Sequence, residues 1–212
     1  MIHVRNLLAV LLLLGAWVRV DGQAAPTVDD DRQVYAAILE LAIRPEVERF
    51  SKIAKIPGTP TLLVLEQTSS MCQGNVDRTR LMCVTGDEIE RLRASAGYNL
   101  RLRQPAAYSA TLRENLIGAF ISRNAKSETF SAPEGAGVVV VPLAGLQEAL
   151  QRRPQETVGY SAFSLPAYTD DGYAVVFAFY TCGGRCGRAQ LYILNRTSGK
   201  WQVEAEFGLF QA

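Results

Sequence analysis

The sequence predicts an α+β domain in which N-terminal helices pack on a mainly antiparallel sheet that ends in a three-stranded meander. Three observations carry that expectation. The first two thirds of the chain alternate capped helical segments with single apolar strands. The last third, from about residue 158, reads as successive strands joined by short turns. No internal repeat, low-complexity tract or linker divides residues 25–212, so they form one domain. Apolar residues make up 48% and charged residues 20%, a globular balance rather than a disordered one.

Residues 1–24 read as a secretory signal peptide. Arg5 precedes an apolar run from residue 7 to residue 18, and small residues follow near Gly22 and Ala24, after either of which cleavage fits. The run is too short to span a bilayer as a helix, so no stable membrane insertion is expected after cleavage. Cleavage leaves about 190 residues, enough to bury roughly 70% of the unfolded surface. It also removes His3, the only histidine, and with it Ser-His, Cys-His and His-metal chemistry. Of 22 basic and 21 acidic residues, Arg5, Arg19 and Asp21 are lost, leaving 20 of each sign. A neutral chain has no overall electrostatic drive toward nucleic acid or an anionic membrane.

The elements follow in order. Asp29, Asp30 and Asp31 supply the negative charge that a helix start favours, and Val34, Ile38, Leu41 and Ala42 continue at helical spacing until Pro45 stops the helix. The acidic triplet lacks the later oxygen ligands and glycine of a calcium loop. A turn around Pro57-Gly58-Thr59-Pro60 leads into an apolar strand over 61–65. Thr85 and Glu88 form a capping box for a helix ending near Gly97. Leu112, Leu116, Ile117, Phe120 and Ile121 give the next helix, over 108–124, a broad apolar face. The four valines of 138–141 read as a short buried strand, and 142–153 as a short helix before Pro154. Strands are then expected over 158–165, 173–181, 189–195 and 201–207. The segment 173–181 is apolar on both faces and belongs at the centre of the sheet. In 201–207, Trp201, Val203, Ala205 and Phe207 alternate with Gln202, Glu204 and Glu206, the pattern of a strand buried on one face.

Chemistry is sparse. Cys72, Cys83, Cys182 and Cys186 read as two disulfides in an oxidising compartment; three pairings exist, and the local ones, Cys72–Cys83 and Cys182–Cys186, are favoured. The gap from Cys72 to Cys83 is too long for a zinc knuckle, so no metal or other cofactor is expected. Cys182-Gly183-Gly184-Arg185-Cys186 is the one local constellation with a redox alternative, since Arg185 favours thiolate. It lies between strands, however, where no helix dipole assists, and a turn-stapling bridge is the expected role. Arg91, Arg93, Arg101, Arg103 and Arg113 form a basic stretch, but Asp87, Glu88, Glu90 and Glu114 offset it. No nucleophile motif is present, so no catalytic residue is assigned. Asp170, Asp171, Glu204 and Glu206 are the only candidates for a paired-carboxylate hydrolase, and turn or strand-face positions explain them. Tyr160, Ser161, Ser164 and Tyr168 are candidates for a polar pocket beside the sheet. Asn195-Arg196-Thr197 fits the glycosylation sequon, which matters only in a eukaryotic secretory route.

Four segments, residues 159–166, 171–176, 182–187 and 199–203, together resemble an uncharacterised family of secreted bacterial α+β proteins with a strand–CGxxCG–strand–GKW-strand pattern. The resemblance covers about half of the chain beyond the signal. It implies an exported α+β protein and assigns no catalytic residue. The helix-plus-meander order is also similar to cone-shaped, nuclear-transport-factor-like folds, a likeness of fold alone. The expected function is therefore an exported, disulfide-stapled, non-catalytic domain, secreted or periplasmic, that binds a protein or small ligand. A thiol–disulfide exchanger at Cys182/Cys186 or a carboxylate hydrolase is the alternative from a different class.

Overall fold

A computed structural model describes residues 26–56, 58, 60–72, 83–94, 109–133, 137–152, 157–181 and 187–211. The expected signal peptide, Gly97, Arg101, Arg103 and the segment from Cys182 to Cys186 lie outside the described residues. The expected α+β class is observed, with a mixed, mostly antiparallel open sheet and a C-terminal meander.

The first helix, α1 (Val28–Ile38), starts in a capping box: the Thr27 hydroxyl accepts from Asp30 N–H, and the Asp30 carboxylate accepts from Thr27 N–H. Pro45 does not stop it. A π-turn (Leu39–Ile43) carries the chain directly into α2 (Arg44–Ala54), with Pro45 in its first turn. The reason lies in spacing. Val34 to Ile38 and Ile43 to Val47 are four-residue steps, but Ile38 to Ile43 is five, and the wider turn keeps both pairs on one face. Arg44 N–H accordingly bonds back to Leu39 C=O, which leaves slack where a proline lacks its own donor. Leu41, expected in the apolar stripe, points outward and is 47% exposed.

The remaining elements are β1 (Thr61–Leu65), α3 (Gly86–Ala94), α4 (Ala110–Arg123), β2 (Val138–Val141), a 3-10 turn (Leu143–Gly145) leading into α5 (Leu146–Arg152), then β3 (Thr157–Phe163), β4 (Ala167–Tyr168), β5 (Tyr173–Thr181), β6 (Gly187–Thr197) and β7 (Lys200–Gln211). The capping box at α3 is present as the sequence predicts, with Glu88 Oε2 accepting from Thr85 N–H at 2.8 Å. The sheet runs β2-β1-β3-β5-β6-β7, with β4 continuing along the β5 edge beyond β3. The β1 pairings are parallel, and every later pairing is antiparallel. The β6–β7 hairpin turns through Ser198 (φ 52°) and Gly199 (φ 79°), the two left-handed positions of a two-residue turn that matches strand twist.

Helices cover both faces of the sheet. On one face α1, the π-turn and α2 pack Val34, Tyr35, Ile38, Ile43 and Val47 against Val64, Phe163, Val176 and Leu194. On the other, α3 and α4 pack Ile89, Leu92, Leu116 and Phe120 against Val175, Phe177, Leu191 and Ile193. Beside them α5 covers Leu63, Leu65, Val141 and Ala162 through Leu146. Strand β5 is central and apolar on both sides, as its sequence predicts. Two strands differ from expectation. The 138–141 strand is an edge strand whose Val139 and Val140 are exposed, because it pairs on one side only. In β7, Ala205 opposes Ile193 and Val203 opposes Leu194, so Glu204 is the extra residue of a bulge. The bulge switches faces: Trp201 and Val203 join the α1 side, while Ala205 and Phe207 join the α3–α4 side. The regular alternation of 201–207 therefore lines both faces, not one.

Cys72 and Cys83 form the expected disulfide, with Cα atoms 5.0 Å apart. Backbone bonds from Cys72 N–H to Val84 C=O and from Val84 N–H to Ser70 C=O bring the two ends side by side.

Candidate functional site

Charged and polar side chains converge on the α1–α2 face of the sheet, near the start of β6. Register explains it. Tyr180 lies opposite Arg188, Ala178 opposite Gln190, and Tyr192 opposite Glu206. Alternation then sends all six to the same face. The small Ala178 leaves a depression between Tyr180 and Tyr192, which Ala42, Ile43 and Glu46 roof. The resulting cleft is shallow and open to solvent, with enclosed room for about one water molecule. The roof is the π-turn and the start of α2, and π-turns often occur at functional sites.

The polar groups of the cleft hold one another. Tyr192 Oη donates to Gln190 Oε1 at 2.6 Å, and Gln190 Nε2 donates to Glu206 Oε2 at 3.3 Å. Arg188 lies between two carboxylates, 3.2 Å from Glu206 and 3.7 Å from Glu46. Glu46 is held more closely by Arg49, at 2.6 Å. Burial, aided by Glu46, pushes the Tyr180 phenol up to about 12, and burial raises Tyr192 further, so both hydroxyls stay protonated at neutral pH.

A second polar assembly joins the helical layers around the sheet. Asp31 of α1, only 6% exposed, accepts from Arg123 Nη2 at 2.8 and 2.9 Å and from Tyr168 Oη at 2.9 Å. Arg123 also lies over the Tyr168 ring, which tilts against Trp201. Burial raises the Asp31 carboxyl above its ordinary value, against the opposing pull of Arg123 and Tyr168. Tyr168 is raised as well, first by burial and then by Asp31. With Asp31 buried and all three groups bonded to one another, they form a tie between elements rather than a surface that receives a ligand.

The residues singled out in the sequence are dispersed. Tyr160 packs on Phe179 on the α5 side, while its neighbour Ser161 is buried on the opposite face. The Ser164 hydroxyl accepts from Phe177 N–H, and Tyr168 belongs to the Asp31 assembly, so no pocket unites the four. Asp170 and Asp171 are exposed in the β4–β5 turn, where Asp171 accepts from Thr169 Oγ1. Glu206 alone of the four candidate carboxylates reaches the cleft, because the Glu204 bulge turns Glu206 toward the α1–α2 face. Arg91 pairs with Glu88, and Arg93 with Glu90 and Glu114, a charge-balanced helix face. Sequence reading missed Glu46, Arg188, Gln190 and Tyr192. The available signal was the polar period of two at Arg188, Gln190 and Tyr192 within an otherwise apolar strand.

Among the described residues no group of three or more acidic, cysteine or histidine side chains is placed to hold a metal ion, and no helix is long and apolar enough to cross a membrane. No family model, curated protein or solved structure matches this chain.

Proposed function

We propose that this protein is an exported, disulfide-stapled binding domain whose site is the cleft between the π-turn and strands β5, β6 and β7. One observation carries the reading: the polar groups of the cleft are matched to one another around an apolar floor, which suits recognition rather than the attack of a nucleophile. The Cys72–Cys83 bridge supports an oxidising destination, secreted or periplasmic. On this reading Cys182 and Cys186 form the second, local bridge, and cleavage near Gly22–Ala24 precedes folding.

Intact mass of the exported protein, with and without alkylation over a series of mild reductant concentrations, tests the first half. The expected product starts near residue 23 or 25 and carries two bridges that resist gentle reduction. A full-length, fully alkylated chain would overturn export, and selective opening of Cys182–Cys186 would favour thiol–disulfide exchange instead. The second half is tested by carbon-13 labelling of the alanine methyls and titration with mixed small fragments. Shifts concentrated at Ala42 and Ala178 are expected, because both methyls line the cleft; no shift there with any fragment would overturn the site.

A further inference from the structure

We infer that the cleft takes a small ligand with an aliphatic body and a single carboxylate, and that Arg188 holds the carboxylate. The inference rests on the reading of the cleft as the binding site and adds the chemistry of its occupant. The interior is formed by Ala42, Ile43 and Ala178 and by the rings of Tyr180 and Tyr192, so it favours hydrocarbon. Its enclosed part has room for about one water molecule, so it takes only the methyl end of a ligand and leaves the rest of the aliphatic body in the open mouth unless the roof moves.

The mouth selects charge. Glu46 is already paired with Arg49 at 2.6 Å, and its approach to Arg188 Nη1 at 3.7 Å exceeds hydrogen-bond length. Arg188 Nη2 is occupied by Glu206 at 3.2 Å. The contact to Glu46 is thus the weak one, and an incoming carboxylate replaces it with charge-assisted hydrogen bonds. The Arg188 side chain is 32% exposed, so its guanidinium can turn toward a ligand without leaving a buried position. An ammonium group finds no such opening. Both carboxylates are already held closely by arginines, Glu46 by Arg49 and Glu206 by Arg188, so an ammonium group has to break a close pair where a carboxylate replaces a distant one.

Three probes of equal length separate the cases: butyrate, butyramide and butylamine, titrated into the whole exported protein while the Ala42 and Ala178 methyl signals are followed. Butyrate is expected to shift both methyls saturably and to bind about tenfold more tightly than butyramide. Arg188→Gln is expected to erase that difference, and Arg188→Lys, which keeps the charge, to retain part of it. Butyramide or butylamine saturating these methyls as tightly as butyrate would overturn the carboxylate assignment while leaving the cleft a binding site. No response to any of the three, in a protein whose cleft does respond to other fragments, would overturn the inference alone. Silence toward every fragment would remove the site itself.

Discussion

Asp31 illustrates how a single residue carries opposing effects. Its carboxylate gains two contacts from Arg123 and one from Tyr168, yet burial disfavours its charge more than these favour it. Asp31→Ala leaves Arg123 without its partner and is expected to lower stability by about 3 kcal/mol in urea unfolding, near the low end for a broken buried pair because the Arg123 side chain keeps 27% of its surface in water. Replacing both partners by apolar residues of similar volume should recover most of that loss. The pH dependence has a definite sign. A carboxyl raised in the folded state binds its proton more tightly there, so its contribution is full below the ordinary value of 3.8 and is lost as pH rises through the folded value. Asp30 acts oppositely. The Thr27 N–H lowers its carboxyl, so the contribution exists above 3.8 and disappears in acid. Unfolding of wild type and Asp31→Asn between about pH 3 and pH 7 should therefore show wild type losing ground to the variant as pH rises. The opposite slope would mean that Arg123 outweighs burial.

The π-turn decides what the N-terminal helices can bury. With Ile38 and Ile43 five residues apart, a regular α-helix would rotate the second apolar pair away from the sheet by about 100°. Inserting one alanine beside Glu40, which is exposed, lengthens the step from Ile38 to Ile43 to six residues and takes Ile43, Val47 and Glu46 off the sheet. The insertion is expected to destroy cooperative thermal unfolding, whereas Glu40→Ala should stay within about 0.5 kcal/mol of wild type. Circular dichroism on both variants distinguishes a phase effect from a side-chain effect. The Glu204 bulge does for β7 what the π-turn does for the helices: one extra residue re-aims everything beyond it, including Glu206.

Across the whole molecule, three layers are held by three apolar clusters and by ties at the periphery. Asn124 ends α4 and pins the β3–β4 corner, with its amide donating to Phe120 and Leu165 carbonyls and accepting from Leu165 N–H. The adjacent segment is stapled by Cys72–Cys83, and Met71 N–H bonds to Asn124 C=O. Removing this bridge with paired cysteine-to-serine substitutions is expected to cost about 2–3 kcal/mol, from the chain entropy that a short loop regains on unfolding. Denaturation midpoints with and without reductant check this, since reductant should move the wild type further than the variant, which has only the proposed Cys182–Cys186 bridge left to lose.

The sequence by itself determined the class of fold, the order of most elements, the Thr85–Glu88 capping box and the β6–β7 turn. Each of these depends on neighbours in the chain: Thr85 with Glu88, Ser198 with Gly199, the double-faced apolar run of β5. Only the tertiary structure decided how Pro45 is accommodated, which face each half of β7 lines and which polar residues meet. Pro45 reads as a stop until the five-residue apolar step is placed over a sheet, and Glu204 reads as one solvent-facing position among several until its partner strand shows a missing residue. The cleft was the least legible of all. Glu46 and Arg188 are far apart in sequence, and only packing of α2 on β6 brings their charges within 3.7 Å. Local hydrogen bonding and periodicity act over a few residues, whereas the site is made by register and packing between segments that the chain itself keeps distant.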